Sequence, residues 1–209
     1  MYKIIIADDH AVVTAGLCLI LEDTPDLRII DEVRNGDDLL RKIPDNDYDL
    51  VILDICMPGK DAFDALKEIK AKYPYLPVII FTMNPEETHA IRMLKNGAAA
   101  FVNKETAHVE IVEIIRKVLT KKKYFTQYQA SLMAETIGSK ETPLHTTLTN
   151  REFQILTILA SGMKNSEIAD KLRVSKNTVS NHRNSILRKL KLTNNSDITR
   201  YALAHSIIS

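Results

Sequence analysis

Five residues concentrate the chemistry of the first half of this chain. Asp8 and Asp9 follow the apolar run at residues 3–7, and Asp54 follows Leu50–Leu53 within the stretch LVILDICMPGK. Thr82 closes another apolar run, and Lys104 follows the last one, at residues 99–102. Three carboxylates gathered in one place repel one another unless a cation joins them. Oxygen ligands of that kind suit a hard divalent ion, Mg²⁺ or Mn²⁺, that keeps waters of its own. A hydroxyl and an ammonium beside them complete a site for a phosphoryl group. Asp54 attacks, the metal and Lys104 hold the oxygens, and Thr82 bonds the product. One aspartate at a strand end is ordinarily a turn or cap residue. Five such groups at the ends of four strands are not explained by capping.

These residues need elements that bring them together. Apolar runs at 3–7, 28–33, 50–53, 78–82 and 99–102 read as strands, and amphipathic stretches at 11–22, 37–43, 62–72, 86–96 and 109–119 as helices. Five βα repeats imply an α/β fold, a five-stranded parallel sheet with helices on both faces. Such sheets bind ligands at the carboxyl ends of the strands, where the strand order reverses. With the order 2-1-3-4-5, strands one and three are neighbours, and Asp8, Asp9 and Asp54 converge.

The chain has 209 residues, 45% hydrophobic and 26% charged, the composition of a soluble globular protein with room for two domains. No apolar run is long enough to cross a bilayer, and the first residues lead straight into a strand rather than a signal peptide. Cys18 and Cys56 form no CxxC pair, so a reducing, cytoplasmic location is expected. Residues 1–122 hold 16 Lys+Arg against 21 Asp+Glu, whereas residues 123–209 hold 12 against 6. An acidic half joined to a basic half suggests that only the second half meets a polyanion. The domain boundaries follow: 1–122, a partly helical linker at 123–147, and 148–209. In the linker, residues 121–123 read as the solvated end of a helix, residues 127–137 as another helix, and residues 138–147 as a polar connection.

The basic half reads as four helices, at 151–161, 166–172, 176–190 and 196–207. Thr149-x-x-Glu152 is a capping box that opens the first, and Ser175 caps the third. A short helix joined by a tight turn to a long, basic one suggests a helix-turn-helix. In the third helix Val179, Ile186, Leu187 and Leu190 should face the domain, with Asn177, Asn181, Asn184 and Arg188 on the other side. Asn can bond adenine and Arg guanine in the major groove. Arg183, Lys189 and Thr178 are placed for phosphates, which position a protein without reading sequence.

The motifs IIIADDH, LVILDICMPG, VIIFT and AAAFVNK resemble those of a response-regulator receiver domain, over roughly residues 1–122. The resemblance implies the flavodoxin-like (βα)5 fold. It also implies Asp54 as phosphoacceptor, Asp8, Asp9 and Asp54 around Mg²⁺, Thr82 and Phe101 as switch residues, and Lys104 as the phosphate-binding lysine. Cys56, two residues after Asp54, would border the phosphoryl group. Residues 146–209 resemble a LuxR-type DNA-binding domain, and the two halves together resemble a NarL/FixJ-family response regulator. Residues 176–188, including Lys176 and Ser180, then correspond to the recognition helix. The last helix would be the dimer contact, with Tyr201, Ala202 and His205 on one face.

The partners implied are a sensor histidine kinase, double-stranded promoter DNA, RNA polymerase and a second copy of the chain, with no membrane. The protein is then a transcription regulator and not an enzyme, apart from the phosphoryl chemistry at Asp54. The alternative is a DNA-binding regulator that works without phosphorylation. Haloacid dehalogenases also use an aspartyl phosphate and Mg²⁺, but in a DxD pattern after the first strand, where this chain has Asp8-Asp9-His10. The remaining histidines, among them His10, His89, His108 and His145, show no metal-binding spacing and are assigned to surface or core.

Overall fold

The computed structural model describes residues 1–83, 86–105, 110–138, 143–172, 174–205 and 207–208. The chain divides into two compact units, Met1–Met133 and Ala134–Ser209. His108 and Arg173 lie outside the described residues.

The first unit alternates β1 (Tyr2–Ala7), α1 (Ala11–Glu22), β2 (Leu27–Val33), α2 (Gly36–Lys42), β3 (Leu50–Leu53), α3 (Ala62–Lys72), β4 (Val78–Thr82), α4 (Glu86–Lys95), β5 (Ala100–Asn103) and α5 (Ile111–Leu119). All strand pairs are parallel, in the order β2-β1-β3-β4-β5. Ile30 is extra in the β1–β2 pairing, because Ile4 pairs Ile29 and Ile5 pairs Asp31. Both faces of the sheet are buried, which explains why the strands read as continuous apolar runs. Ile5, Val51, Leu53, Ile80 and Phe101 point to one core with Leu39, Phe63, Leu66 and Met93 of α2, α3 and α4. Ile4, Ile6, Ile52, Ile79 and Val102 point to the other with Leu17, Leu21, Ile114 and Val118 of α1 and α5. His89 of α4 is buried, and loss of solvation, with Arg92 nearby, pushes its pKa down to about 4.

Glycine is required where the α2 start meets the loop after β3. A Cβ on Gly36 would stand 2.4 Å from the Lys60 carbonyl oxygen. Gly59 has a φ of +78°, and a Cβ there would meet Asp37 Oδ2 at 2.5 Å.

After α5 the chain returns to the free edge of β5. Tyr124 N donates to Ala99 O at 2.9 Å, and Phe125 and Met133 pack on the first core. A helix α6 (Gln127–Gly138) begins on this edge.

The second unit contains α7 (Asn150–Ala160), α8 (Asn165–Lys171), α9 (Lys176–Leu190) and α10 (Asn195–Ala204) around one core that includes Phe153, Ile155, Leu156, Ile168, Val179 and Ile186. The expected capping box forms, with Thr149 N donating to Glu152 Oε2 and Glu152 N to Thr149 Oγ1. Ser175 caps α9 by accepting from Thr178 N. The last helix starts at Asn195 because Asn194 accepts from Asp197 N. It stops at Ala204, short of the expected end, and Ile207 folds back so that its N–H bonds to Ala202 O. No described helix is long and apolar enough to cross a membrane.

Candidate functional site: an acidic cluster and a polar helix face

In the parallel register Ala7 pairs Leu53, so Asp8 and Asp54 leave the sheet side by side. Asp54 N donates to Ala7 O at 2.9 Å, which fixes where its side chain begins. Thr82 pairs Asn103, and Lys104 N donates to Thr82 O at 2.9 Å. The lysine side chain then reaches back across the strand ends. Its Nζ lies 2.7 Å from Asp8 Oδ2 and 2.7 Å from Asp54 Oδ2, with all three side chains buried. The same ammonium sits 5.8 Å from the centroid of the Phe81 ring, a cation–π contact. Asp54 Oδ1 accepts from Cys56 N at 3.3 Å, and the Cys56 side chain is exposed. Thr82 and Phe101 are fully buried, and Asp9 is half-buried.

His10 is exposed, as a surface role requires, and its ring reaches this cluster. Its Nδ1 lies 3.1 Å from both Asp8 Oδ1 and Asp9 Oδ1, and 3.6 Å from Asp54 Oδ2. His10 N also donates to Asp8 Oδ1 at 2.9 Å. The signal in the sequence was adjacency to Asp8 and Asp9 on one strand end, not a spaced metal motif. One ligand atom from each of Asp8, Asp9, His10 and Asp54 lies within 4.8 Å of the others. Asp8 Oδ2 and Asp9 Oδ1 are buried with no aligned hydrogen-bond donor, although Lys104 and His10 approach them. Buried carboxylate oxygens in that state suit a hard divalent cation, so the residues present fit one.

In the second unit, α9 presents the expected polar face. Asn177, Asn181, Asn184 and Arg188 are all exposed, as is Lys176 at the helix start. Val179, Ile186 and Leu190 are buried on the opposite side. Other expected contact residues are already engaged. Thr178 Oγ1 lies 2.8 Å from Ser175 Oγ, Ser180 Oγ accepts from Asn165 Nδ2 at 3.3 Å, and Arg183 Nε donates to Asn195 Oδ1 at 2.6 Å.

Lys189 requires a correction. Its Nζ lies 2.6 Å from Glu152 Oε2, whose second oxygen accepts from Ser185 Oγ at 2.6 Å. Burial raises the Glu152 pKa, but Lys189, Ser185 and the Thr149 backbone together outweigh it and hold the carboxyl down at about 2. Lys189 is therefore spent inside the domain, tying α9 to α7, and is not a free phosphate contact.

The expected dimer face needs a second correction. Ala202 is fully buried in the core of its own domain, so it is not available to a partner. Tyr201 is half-buried: its hydroxyl accepts from His145 N at 3.1 Å, and its ring centroid is 4.3 Å from that of exposed His205.

The family model of the response regulator receiver domain matches residues 4–116, and that of bacterial regulatory proteins of the luxR family matches residues 146–202. Oxygen regulatory protein NreC of Staphylococcus carnosus is 31% identical over 214 residues, covering 99% of this chain and 99% of its own. Response regulator UvrY of Escherichia coli is 29% identical over 209 residues, covering 99% and 96%. Among solved structures, RcsB of Salmonella enterica serovar Typhimurium, bound to promoter P1flhDC with phosphomimetic BeF3-, matches with a TM-score of 0.68 at 27% identity, covering 97% of this chain and 98% of that one. Two RcsB dimers bound to two parallel DNAs match with a TM-score of 0.63 at 26% identity, covering 100% and 99%. The chain belongs to the NarL/FixJ family of response regulators, which join a receiver domain to a LuxR-type helix-turn-helix domain.

Proposed function

We propose that Asp54 accepts a phosphoryl group from a sensor histidine kinase and that this controls dimeric, sequence-specific binding of promoter DNA. The observation that carries the reading is the single ammonium of Lys104 bridging Asp54 and Asp8 beside buried Thr82. An Asp54 oxygen forms a P–O bond as the P–N bond of the donor phosphohistidine breaks, and the electron pair leaves on the imidazole. Lys104 is positioned to exchange an Asp54 oxygen for a phosphoryl oxygen, and Thr82 to hydrogen-bond the new group. Asp8, Asp9 and Asp54 would hold Mg²⁺ or Mn²⁺, which when bound supplies neutralising charge to the phosphoryl oxygens. His10 and Cys56 N border the same oxygens.

On the output side Asn177, Asn181, Asn184 and Arg188 read base edges, and Lys176 meets phosphate. Tyr201 and His205 of the last helical segment, whose rings pack together, form the dimer contact. The protein works in the cytoplasm as a regulator of transcription by RNA polymerase. A domain division at 1–122, 123–147 and 148–209 fits these roles.

The test is intact mass after incubation with acetyl phosphate and Mg²⁺, comparing the natural protein with Asp54→Asn. One added phosphoryl group, absent in the variant, is expected. No addition to the folded natural protein would favour the second reading, a regulator that binds DNA independently of phosphorylation.

A further inference from the structure

The buried amide of Gln129 occupies the boundary between the receiver and the segment that leads to the DNA-binding unit. Gln129 is fully buried, an unusual place for a glutamine unless its polar atoms are satisfied. They are. Its Nε2 donates to the carbonyl oxygen of Phe101 at 2.9 Å. Its Oε1 accepts from Thr126 N at 3.3 Å, while Gln129 N donates to Thr126 Oγ1 at 3.1 Å. The second pair is the Thr-x-x-Gln capping box that opens α6. One planar amide therefore joins the start of α6 to the middle of β5.

Its partner strand is the one that carries the switch. Phe101 pairs Ile80, Asn103 pairs Thr82, and Lys104 follows directly. Because β5 is the sheet edge, its outward carbonyls would otherwise face water or another strand. Ala99 O and Phe101 O instead accept from Tyr124 N and Gln129 Nε2, so the segment after α5 holds that edge. A shift of β5 that moves the Phe101 carbonyl must either carry Gln129 with it or leave a buried amide unpaired. Carrying Gln129 displaces the first turn of α6, because the same side chain closes the capping box.

We propose that Gln129 is a positioning residue that transmits the state of β5 to α6 and so to the DNA-binding unit. This rests on phosphorylation at Asp54 being the input. Gln129→Met keeps the bulk but removes both hydrogen bonds, whereas Thr126→Ala removes a cap partner and leaves the bond to Phe101.

The experiment uses the full chain with acetyl phosphate and Mg²⁺, scoring phosphorylation by intact mass, DNA affinity by gel shift and amide exchange across residues 127–133. Phosphorylation of the natural protein is expected to change that exchange at least threefold. The affinity gain on phosphorylation should fall at least fivefold in Gln129→Met and be retained in Thr126→Ala. A full affinity gain in phosphorylated Gln129→Met would overturn the proposal. So would unchanged exchange in the phosphorylated natural protein, a result that holds even if the methionine variant fails to fold. A chain that takes no phosphoryl group overturns the Asp54 reading first and this inference with it.

Discussion

Lys104 Nζ stands 2.7 Å from Asp54 Oδ2, with both side chains shut away from solvent. The same nitrogen is equally close to Asp8 Oδ2, so one cation serves two buried carboxylates that come from neighbouring strands. Removing one member of a buried ion pair is far more damaging than never having built it, because the remaining charge stays desolvated. Here two carboxylates would be left without that cation. The site is therefore built around charge neutralisation.

Lys104→Met should destabilise the receiver by about 3–5 kcal/mol in metal-free buffer. Mg²⁺ should recover part of that loss, because it replaces the missing positive charge among Asp8, Asp9 and Asp54. Thermal melts with a chelator and with Mg²⁺ test both statements. The ion should raise the melting temperature more in the variant than in the natural protein. Equal shifts would show that lysine and metal do not share the same charge.

Glu152 gives the second unit an acid-sensitive joint. Its folded pKa of about 2 lies below the ordinary 4.5, so its contribution to stability is present above pH 4.5 and is lost as pH falls towards 2. The difference amounts to about 3 kcal/mol at neutral pH. Glu152→Gln should lose most of this at pH 7 and converge on the natural protein only as pH falls to about 2. Urea unfolding of the full-length pair at several pH values reads the difference directly. A gap independent of pH would mean that the carboxylate charge does not hold α7 to α9.

The sequence made the receiver site legible because its pieces are periodic and local. Apolar runs buried on both faces mark the strands, and the residue after each run marks the active edge, as with Leu53 and Asp54. What stayed hidden depended on contacts between distant residues. Nothing near Lys189 announces Glu152, 37 positions earlier, so a lysine on a basic helix looked free. Ala202 follows Ile198 by one helical turn and belongs with it in the core, Tyr201 packs half-buried against that core, and the exposed residues at this end of the helix include Arg200, Leu203 and His205. Gln129 looked like any polar residue of a linker helix, because its acceptor is the main chain of Phe101 and has no side-chain signature.

Two lysines at either end of α9 separate phosphate contact from structure. Lys176 is exposed at the helix start, while Lys189 is bound to Glu152. Lys176→Ala should weaken binding on all DNA and reduce the magnitude of the salt slope by about 1. Lys189→Ala should leave the slope unchanged and lower the stability of the second unit instead. Asn181→Ala should lose affinity for matched sites by about 1–3 kcal/mol and little on scrambled DNA. Gel-shift titrations across a salt series, beside urea unfolding, distinguish the three. A reduced slope for Lys189→Ala would restore it as a phosphate contact.

Gly36 lies where α2 begins against the loop that leaves Asp54. A methyl group there meets the Lys60 carbonyl oxygen at 2.4 Å, a main-chain atom that cannot rotate away. Lys60 is fixed in turn, because its N–H donates to Asp37 Oδ2 at 2.9 Å. Gly36→Ala should therefore destabilise the receiver by about 1–3 kcal/mol, the range of overpacking, although alanine favours helix. Gain of stability in urea unfolding would mean that the loop yields freely.

Lys191 offers the opposite sign. Helix α9 ends with Lys191 N donating to Arg188 O and Leu192 N to Leu187 O, and Lys191 adopts φ +56° and ψ +41°. That left-handed conformation is strained for a side chain with a Cβ and is the place where helices favour glycine. Lys191→Gly should relieve the strain, offset in part by the greater freedom of glycine in the unfolded chain. The net effect should be a stabilisation of about 0.5–1 kcal/mol, seen as a higher urea midpoint with an unchanged slope. DNA affinity on matched sites separates the lysine's charge from its backbone. If affinity falls while stability rises, the chain keeps a strained lysine at the end of its recognition helix because the ammonium meets phosphate. If affinity is unchanged, the lysine at that turn serves neither folding nor DNA contact.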